Sequence, residues 1–142
     1  MFVCTGNTCR SPMAAGIAKK YIKKNNITGL KITSAGLSPN QNDRVTDNAV
    51  SVMSEIKIYI SEHVASGLSY QSLADVDIFV PMTEEHKSVL IAAGVDNSKI
   101  ITFARPVTDP FYGDIYDYRR CRDQLLECVP SVIEKILDRV DS

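Results

Sequence analysis

An apolar start, Met1-Phe2-Val3, runs directly into Cys4-Thr5-Gly6-Asn7-Thr8-Cys9-Arg10-Ser11 and then into a Pro-Met-Ala-Ala segment of helical character. A strand that ends in a tight Gly-Asn turn and restarts as a helix aims successive backbone N–H groups at one point, where the helix dipole adds positive potential. Gly6 and Asn7 tolerate the positive φ that such a turn needs, and Ser11 followed by Pro12 is a helix-start signature. The segment thus dictates a strand, a loop and a helix in that order, with an anion site between them. Arg10 brings a planar fork suited to two phosphate oxygens. Cys4 lies at the floor, where the field that holds a phosphate also favours a thiolate. Taken alone, the segment leaves a second reading open, a buried structural cysteine beneath a helix cap.

The rest of the chain repeats the alternation. Residues 11–24 place Met13, Ala14, Ile17, Ala18, Tyr21 and Ile22 at helical spacing and stop near Asn25-Asn26. A second strand is expected over 30–35, closed by Gly36, then a loop over 37–44 and a helix from about Thr46. Residues 76–80 form a near-continuous apolar run, the mark of a strand buried on both faces of a parallel sheet. Pro81-Met82-Thr83 ends it, and Thr83 with Glu84 and Glu85 opens a helix that stops at Gly94. A fourth strand is expected over 99–103. A long helix then runs from about Ile115 to the end of the chain, with a kink or break expected at Pro130. Right-handed crossovers between such strands produce an open parallel sheet with helices on both faces. Ligands of such sheets bind beyond the carboxyl ends of the strands, which is where Cys4 falls.

A chain of 142 residues suits one domain over 1–142. Sixteen Lys and Arg against 17 Asp and Glu, net −1, argue against a nucleic-acid surface. Lys19, Lys20, Lys23 and Lys24 read as a solvated helix end. No apolar stretch has the length of a membrane span and the start does not resemble a leader, so a cytoplasmic protein is expected. The four cysteines fit reduced thiols better than a disulfide framework. His63 and His86 stand apart without a metal-ligand spacing, so neither a metal nor a cofactor is expected.

Thiolate attack on phosphorus needs an acid for the leaving group, and Asp109 in Thr108-Asp109-Pro110-Phe111-Tyr112-Gly113 is the strongest candidate. Pro110 biases Asp109 toward extended backbone and stiffens the loop, while Phe111 and Tyr112 can wall a substrate side chain. An ordinary Asp-Pro turn ahead of the last helix is the alternative.

Over essentially its whole length the chain resembles the low-molecular-weight protein tyrosine phosphatase family. The matching pieces are the Cys4-to-Ala14 run, Ser34-Ala35-Gly36, His63-Val64-Ala65, Asp77 with Met82, and Asp109-Pro110-Phe111. The resemblance implies an α/β fold of three layers, α/β/α, with a four-stranded parallel sheet in the order 2-1-3-4. It implies that Cys4 attacks phosphorus, that Arg10 and the loop residues Thr5, Gly6, Asn7, Thr8 and Cys9 hold the phosphate, and that Ser11 donates to the Cys4 sulfur. Asp109 then acts as acid and as base for water, Phe111 and Tyr112 line the substrate side, and Asn7, Ser34 and His63 support the loop, with Asn7 left-handed. In relatives a cysteine at the position of Cys9 forms a reversible disulfide with the nucleophile.

The implied partner is a phosphorylated protein or peptide, with phosphotyrosine the first substrate and no nucleic acid, membrane or cofactor. Oligomeric state is left unassigned. Thr8 matches a branch that acts on phosphoarginine, because its hydroxyl can meet a guanidinium where an aliphatic side chain would crowd it. Arsenate reduction and a non-catalytic phosphate-binding module are the other readings. With three residues ahead of Cys4, the central strand is expected to be short.

Overall fold

The computed structural model describes residues 1–140. The element order is β1 (Phe2–Cys4), α1 (Arg10–Lys24), β2 (Ser34–Gly36), α2 (Asp47–Ser54), α3 (Tyr70–Asp75), β3 (Val80–Pro81), α4 (Glu84–Ala92) and α5 (Ile115–Val140), with a 3-10 turn at Asn97–Lys99. The strands pair in parallel in the order β2-β1-β3, Phe2 facing Ser34 on one side and Val80 on the other.

Alternation along β1 splits the core between the two faces of the sheet. Phe2 and Cys4 point into a cluster with Met13 and Ile17 of α1, Val52 of α2, and Leu125, Val129 and Ile133 of α5. Val3 points the other way, into a smaller cluster with Phe79, Leu90 of α4, Val95 and Ile100, against which Leu73 of α3 packs. Helices therefore cover both faces of the sheet. Glu55, at the end of α2, ties that helix to α5 through Arg119 and Arg122, at 2.7 and 2.5 Å.

The helix ends follow their local chemistry. Thr46 caps α2 by accepting from Ala49 N, and Thr83 caps α4 by accepting from His86 N. Asp114 and Asp117 exchange backbone-to-carboxylate bonds of 3.0 Å each at the start of α5. Among the described residues no helix is long and apolar enough to cross a membrane.

Two expectations are corrected, and one further element is found. The sheet has three strands rather than four: segment 99–103 meets it through one isolated parallel bridge, Phe79 to Ile100. Phe79 N donates to Lys99 O and Ile101 N returns to Phe79 O, at 2.7 and 3.0 Å. Val80 N and Met82 N face β1, so Pro81 is the residue whose N–H would continue the pairing outward, and proline has none. The ladder stops after one bridge. Next, α5 runs without a break through Pro130. Finally, α3 was not expected. It is short, buries no residue and starts with a box made by Ser69 and Ser72 rather than the usual Glu or Gln.

Candidate active site

Cys4 ends the central strand, and the next five residues wrap around its sulfur before α1 begins at Arg10. Asn7 takes φ 56°, the left-handed turn that reverses the chain. That turn brings Asn7 N to 3.3 Å from Cys4 Sγ as a donor, and Ser11 Oγ lies 2.9 Å from the same sulfur. Asn7 Nδ2 donates to Ser11 Oγ at 2.8 Å and to Ser34 Oγ at 3.0 Å. Asn7 Oδ1 accepts from Ser66 N at 3.0 Å, which fixes the orientation of the amide. His63 Nε2 meets two acceptors, Asn7 O at 3.0 Å and Asn7 Oδ1 at 3.1 Å, so this nitrogen carries the proton. Because Ser11 Oγ already accepts from Asn7, its own hydrogen is free for the sulfur. A relay thus runs from His63 through Asn7 and Ser11 to Cys4 and orients two donors on one sulfur.

β2 supports the loop from the side. Gly36 N takes Ser66 O, Leu37 N takes Cys4 O and Ser38 N takes Thr5 O, at 2.8, 2.9 and 2.9 Å. A Cβ on Gly36 would stand 2.7 Å from Thr5 O and 3.1 Å from Asn7 N, so only glycine permits this approach. Thr8 is buried and its carbonyl accepts from Thr46 N at 2.9 Å.

Arg10 is 5 % exposed, on the first turn of α1. Its Nη1 donates to Val107 O at 3.1 Å and its Nη2 lies 3.4 Å from Asp109 Oδ2. Arg10 Nε is buried without a protein acceptor, a donor that a phosphate oxygen would satisfy. Val107 N in turn bonds Met82 O at 2.9 Å, so the segment leading to Asp109 is anchored at the end of β3. Asp109 Oδ1 accepts from Phe111 N at 3.1 Å and from the Cys9 thiol at 3.7 Å. The carboxylate is half exposed, so it faces both the arginine and solvent. Phe111 and Tyr112 pack edge to face with centroids 4.8 Å apart, and Tyr112 is almost fully exposed.

All four cysteines are free. Burial pushes the Cys9 thiol well above its ordinary range, with Cys4 and Asp109 adding to the effect. Burial also pushes Cys121 up, to about 12. Cys121 and Cys128 both lie on α5, two turns apart, which separates their Cα atoms by about 10 Å and puts a disulfide between them out of reach. Among the described residues no three His, Cys, Asp or Glu side chains gather closely enough to hold a metal ion.

Two participants escaped the sequence reading. Ser66 contributes a backbone N–H, which any residue but proline could supply. His86 contacts Thr5 Oγ1 through Nε2 at 2.9 Å, and nothing in its local sequence marks it. Burial holds both histidines below their ordinary value of 6.5, opposed at His63 by the bond to Asn7 and reinforced at His86 by Arg10. The unfolded chain therefore binds these protons more readily. The stability due to the neutral rings is complete above about pH 6.5 and is lost as pH falls toward the folded-state values. Thermal denaturation across pH 7 to 5 should show a falling midpoint, with a shallower fall in His63→Gln and in His86→Gln.

A family model described as low molecular weight phosphotyrosine protein phosphatase matches residues 1–141. A protein-arginine-phosphatase of Bacillus subtilis is 33 % identical over 96 % of this chain and 95 % of its own length. A low molecular weight protein-tyrosine-phosphatase, PtpB, of Staphylococcus haemolyticus is 35 % identical over 88 % of this chain and 90 % of its own. Among solved structures, a mutant of the arginine phosphatase YwlE with a phosphorylated active-site serine superposes with a TM-score of 0.88 at 31 % identity, covering 95 % of this chain and 93 % of that one. With the match extending over every element that builds the cysteine loop and the Asp109 segment, the chain belongs to the low molecular weight phosphotyrosine protein phosphatase family.

Proposed function

We propose that this protein hydrolyses phosphotyrosine on proteins or peptides through a phosphocysteine formed on Cys4. The observation that carries the reading is the convergence of two donors, Ser11 Oγ and Asn7 N, on Cys4 Sγ, with the Arg10–Asp109 pair closing the same loop. In this reading Cys4 Sγ forms a bond to phosphorus as the bond to the tyrosine oxygen breaks, and Asp109 delivers a proton to that oxygen. Water, deprotonated by Asp109, then displaces the sulfur. Arg10 and the amides of residues 5 to 10 hold the non-bridging oxygens throughout, so developing charge meets donors already in place. Phe111 and Tyr112 flank the substrate ring, since loop 37–44 carries no aromatic residue. Cys9, which donates to Asp109 and acts electrostatically on Cys4, is the thiol that can condense with a Cys4 sulfenic acid made by peroxide, giving a disulfide and water. Rapid-quench mass spectrometry during turnover of a phosphotyrosine peptide tests the intermediate. A phosphoryl adduct on Cys4 supports the reading, and turnover with the adduct on another residue refutes it.

Phosphoarginine is the second reading, favoured by Thr8. The Thr8 hydroxyl oxygen lies at the Gly6 turn, 3.6 Å from where a Cβ on Gly6 would stand. The Bacillus subtilis relative is named for arginine. Phosphotyrosine peptides should be turned over by the wild type. Thr8→Ile should spare that activity while cutting any phosphoarginine turnover by about 10- to 100-fold, the range for a pocket crowded by one aliphatic branch. A preference for tyrosine in both proteins would remove the arginine reading.

A further inference from the structure

His86 has no part in the chemistry above, yet it is 7 % exposed and packed against the phosphate loop. It is the third residue of α4, where Thr83 Oγ1 accepts its backbone N–H at 3.2 Å and sets its place. Its ring spans from α4 to the residue that follows the nucleophile: Nε2 lies 2.9 Å from Thr5 Oγ1. The other ring nitrogen, Nδ1, is buried and has no hydrogen-bond partner.

That orphan decides the tautomer. A buried N–H without an acceptor is the costlier of the two possible orphans, so the proton belongs on Nε2 and Nδ1 keeps an unused lone pair. Protonating the ring would create the same orphaned N–H and add a charge facing Arg10 of α1. The acidic groups acting on it, Glu85 of α4 and Asp109 of the segment before α5, oppose this less than burial and Arg10 enforce it. The neutral ring therefore donates from Nε2 to Thr5 Oγ1, and the Thr5 hydroxyl hydrogen must point away from the ring. Thr5 is exposed and follows the buried Cys4, so that hydrogen is left for a partner other than the ring.

We propose that His86 is a positioning residue: by donating to Thr5 Oγ1 it turns the Thr5 hydroxyl into a donor for a phosphoryl oxygen of the substrate. The proposal rests on the phosphocysteine reading. It adds a side-chain donor to the backbone cradle, equally useful whether the phosphate sits on tyrosine or on arginine.

A double-mutant cycle tests it, run on protein whose Cys4-dependent turnover and phosphoryl adduct have first been established. Thr5→Val should lower kcat/KM for phosphopeptide and weaken competitive inhibition by inorganic phosphate by the same factor, about tenfold for one bond to a charged oxygen. His86→Leu should cost about threefold, the share lost when the hydroxyl samples three rotamers instead of one. In a Thr5→Val background His86→Leu should cost nothing further, because its effect travels through that hydroxyl. His86→Gln, which can place an amide N–H near the same point, should restore kcat/KM to within about twofold of wild type. Losses that multiply in the double variant overturn the proposal, as does Thr5→Val at wild-type kcat/KM, a result that stands even if His86→Leu fails to fold. Absence of the Cys4 adduct would instead fail the catalytic reading itself.

Discussion

Replacing Cys4 by serine should abolish turnover of para-nitrophenyl phosphate and of phosphopeptides, by at least about 10⁴-fold, with circular dichroism unchanged. The serine oxygen is smaller than sulfur and can keep bonds to Ser11 Oγ and Asn7 N, so the loop survives. What it cannot do is reside as an anion at neutral pH or leave readily from phosphorus. The loss is therefore chemical, and inorganic phosphate should still compete for the site. The assay is run with a chelator present. Activity that persists in Cys4→Ser, or that requires added metal, contradicts the nucleophile assigned here and would return Cys4 to the role of a buried structural thiol.

Asp109→Ala should produce the second large effect, and its size should depend on the leaving group. For a phosphotyrosine peptide, whose phenolate is a poor leaving group, loss of the acid should cost about 10²- to 10⁴-fold in kcat/KM. For para-nitrophenyl phosphate, whose anion departs unaided, bond cleavage should suffer far less. The comparison matters because Asp109 also pairs with Arg10 Nη2 and accepts from the Cys9 thiol. A purely structural role for that pair would depress both substrates equally. Unequal loss, measured as kcat/KM on the two substrates side by side so that the shared hydrolysis of the phosphocysteine does not enter, identifies proton transfer, and equal loss sinks the acid assignment.

Different parts of the fold were legible to different degrees. The helices with apolar stripes and capping residues, α1, α2, α4 and α5, carry their boundaries in local chemistry, as Thr46, Thr83 and Asn25 illustrate. The six residues of α3 bury none fully and turn only Leu73 toward the core, too little for a periodic signal. Strands fared differently because apolar runs mark burial rather than pairing. Of residues 76–80 only Ile78, Phe79 and Val80 are buried, and only Val80 and Pro81 make up β3. In the same way Pro81 was legible as a stop but not as the missing donor that leaves segment 99–103 with a single bridge.

The sequence by itself determined the loop from Cys4 to Ser11. Both hydrogen bonds to that sulfur come from within seven residues, and backbone geometry over so short a span follows from a left-handed asparagine and a helix start. Asp109 was legible as a candidate because proline and aromatic residues around it make a stiff, presenting loop. Only the tertiary structure decided that its carboxylate lies against Arg10 and Cys9, that Gly36 lets β2 press on the loop, and that His86 reaches Thr5 across 81 residues of chain. Such contacts depend on which distant backbones the shared core brings together. A lone histidine or a backbone N–H carries no local pattern that announces its partner.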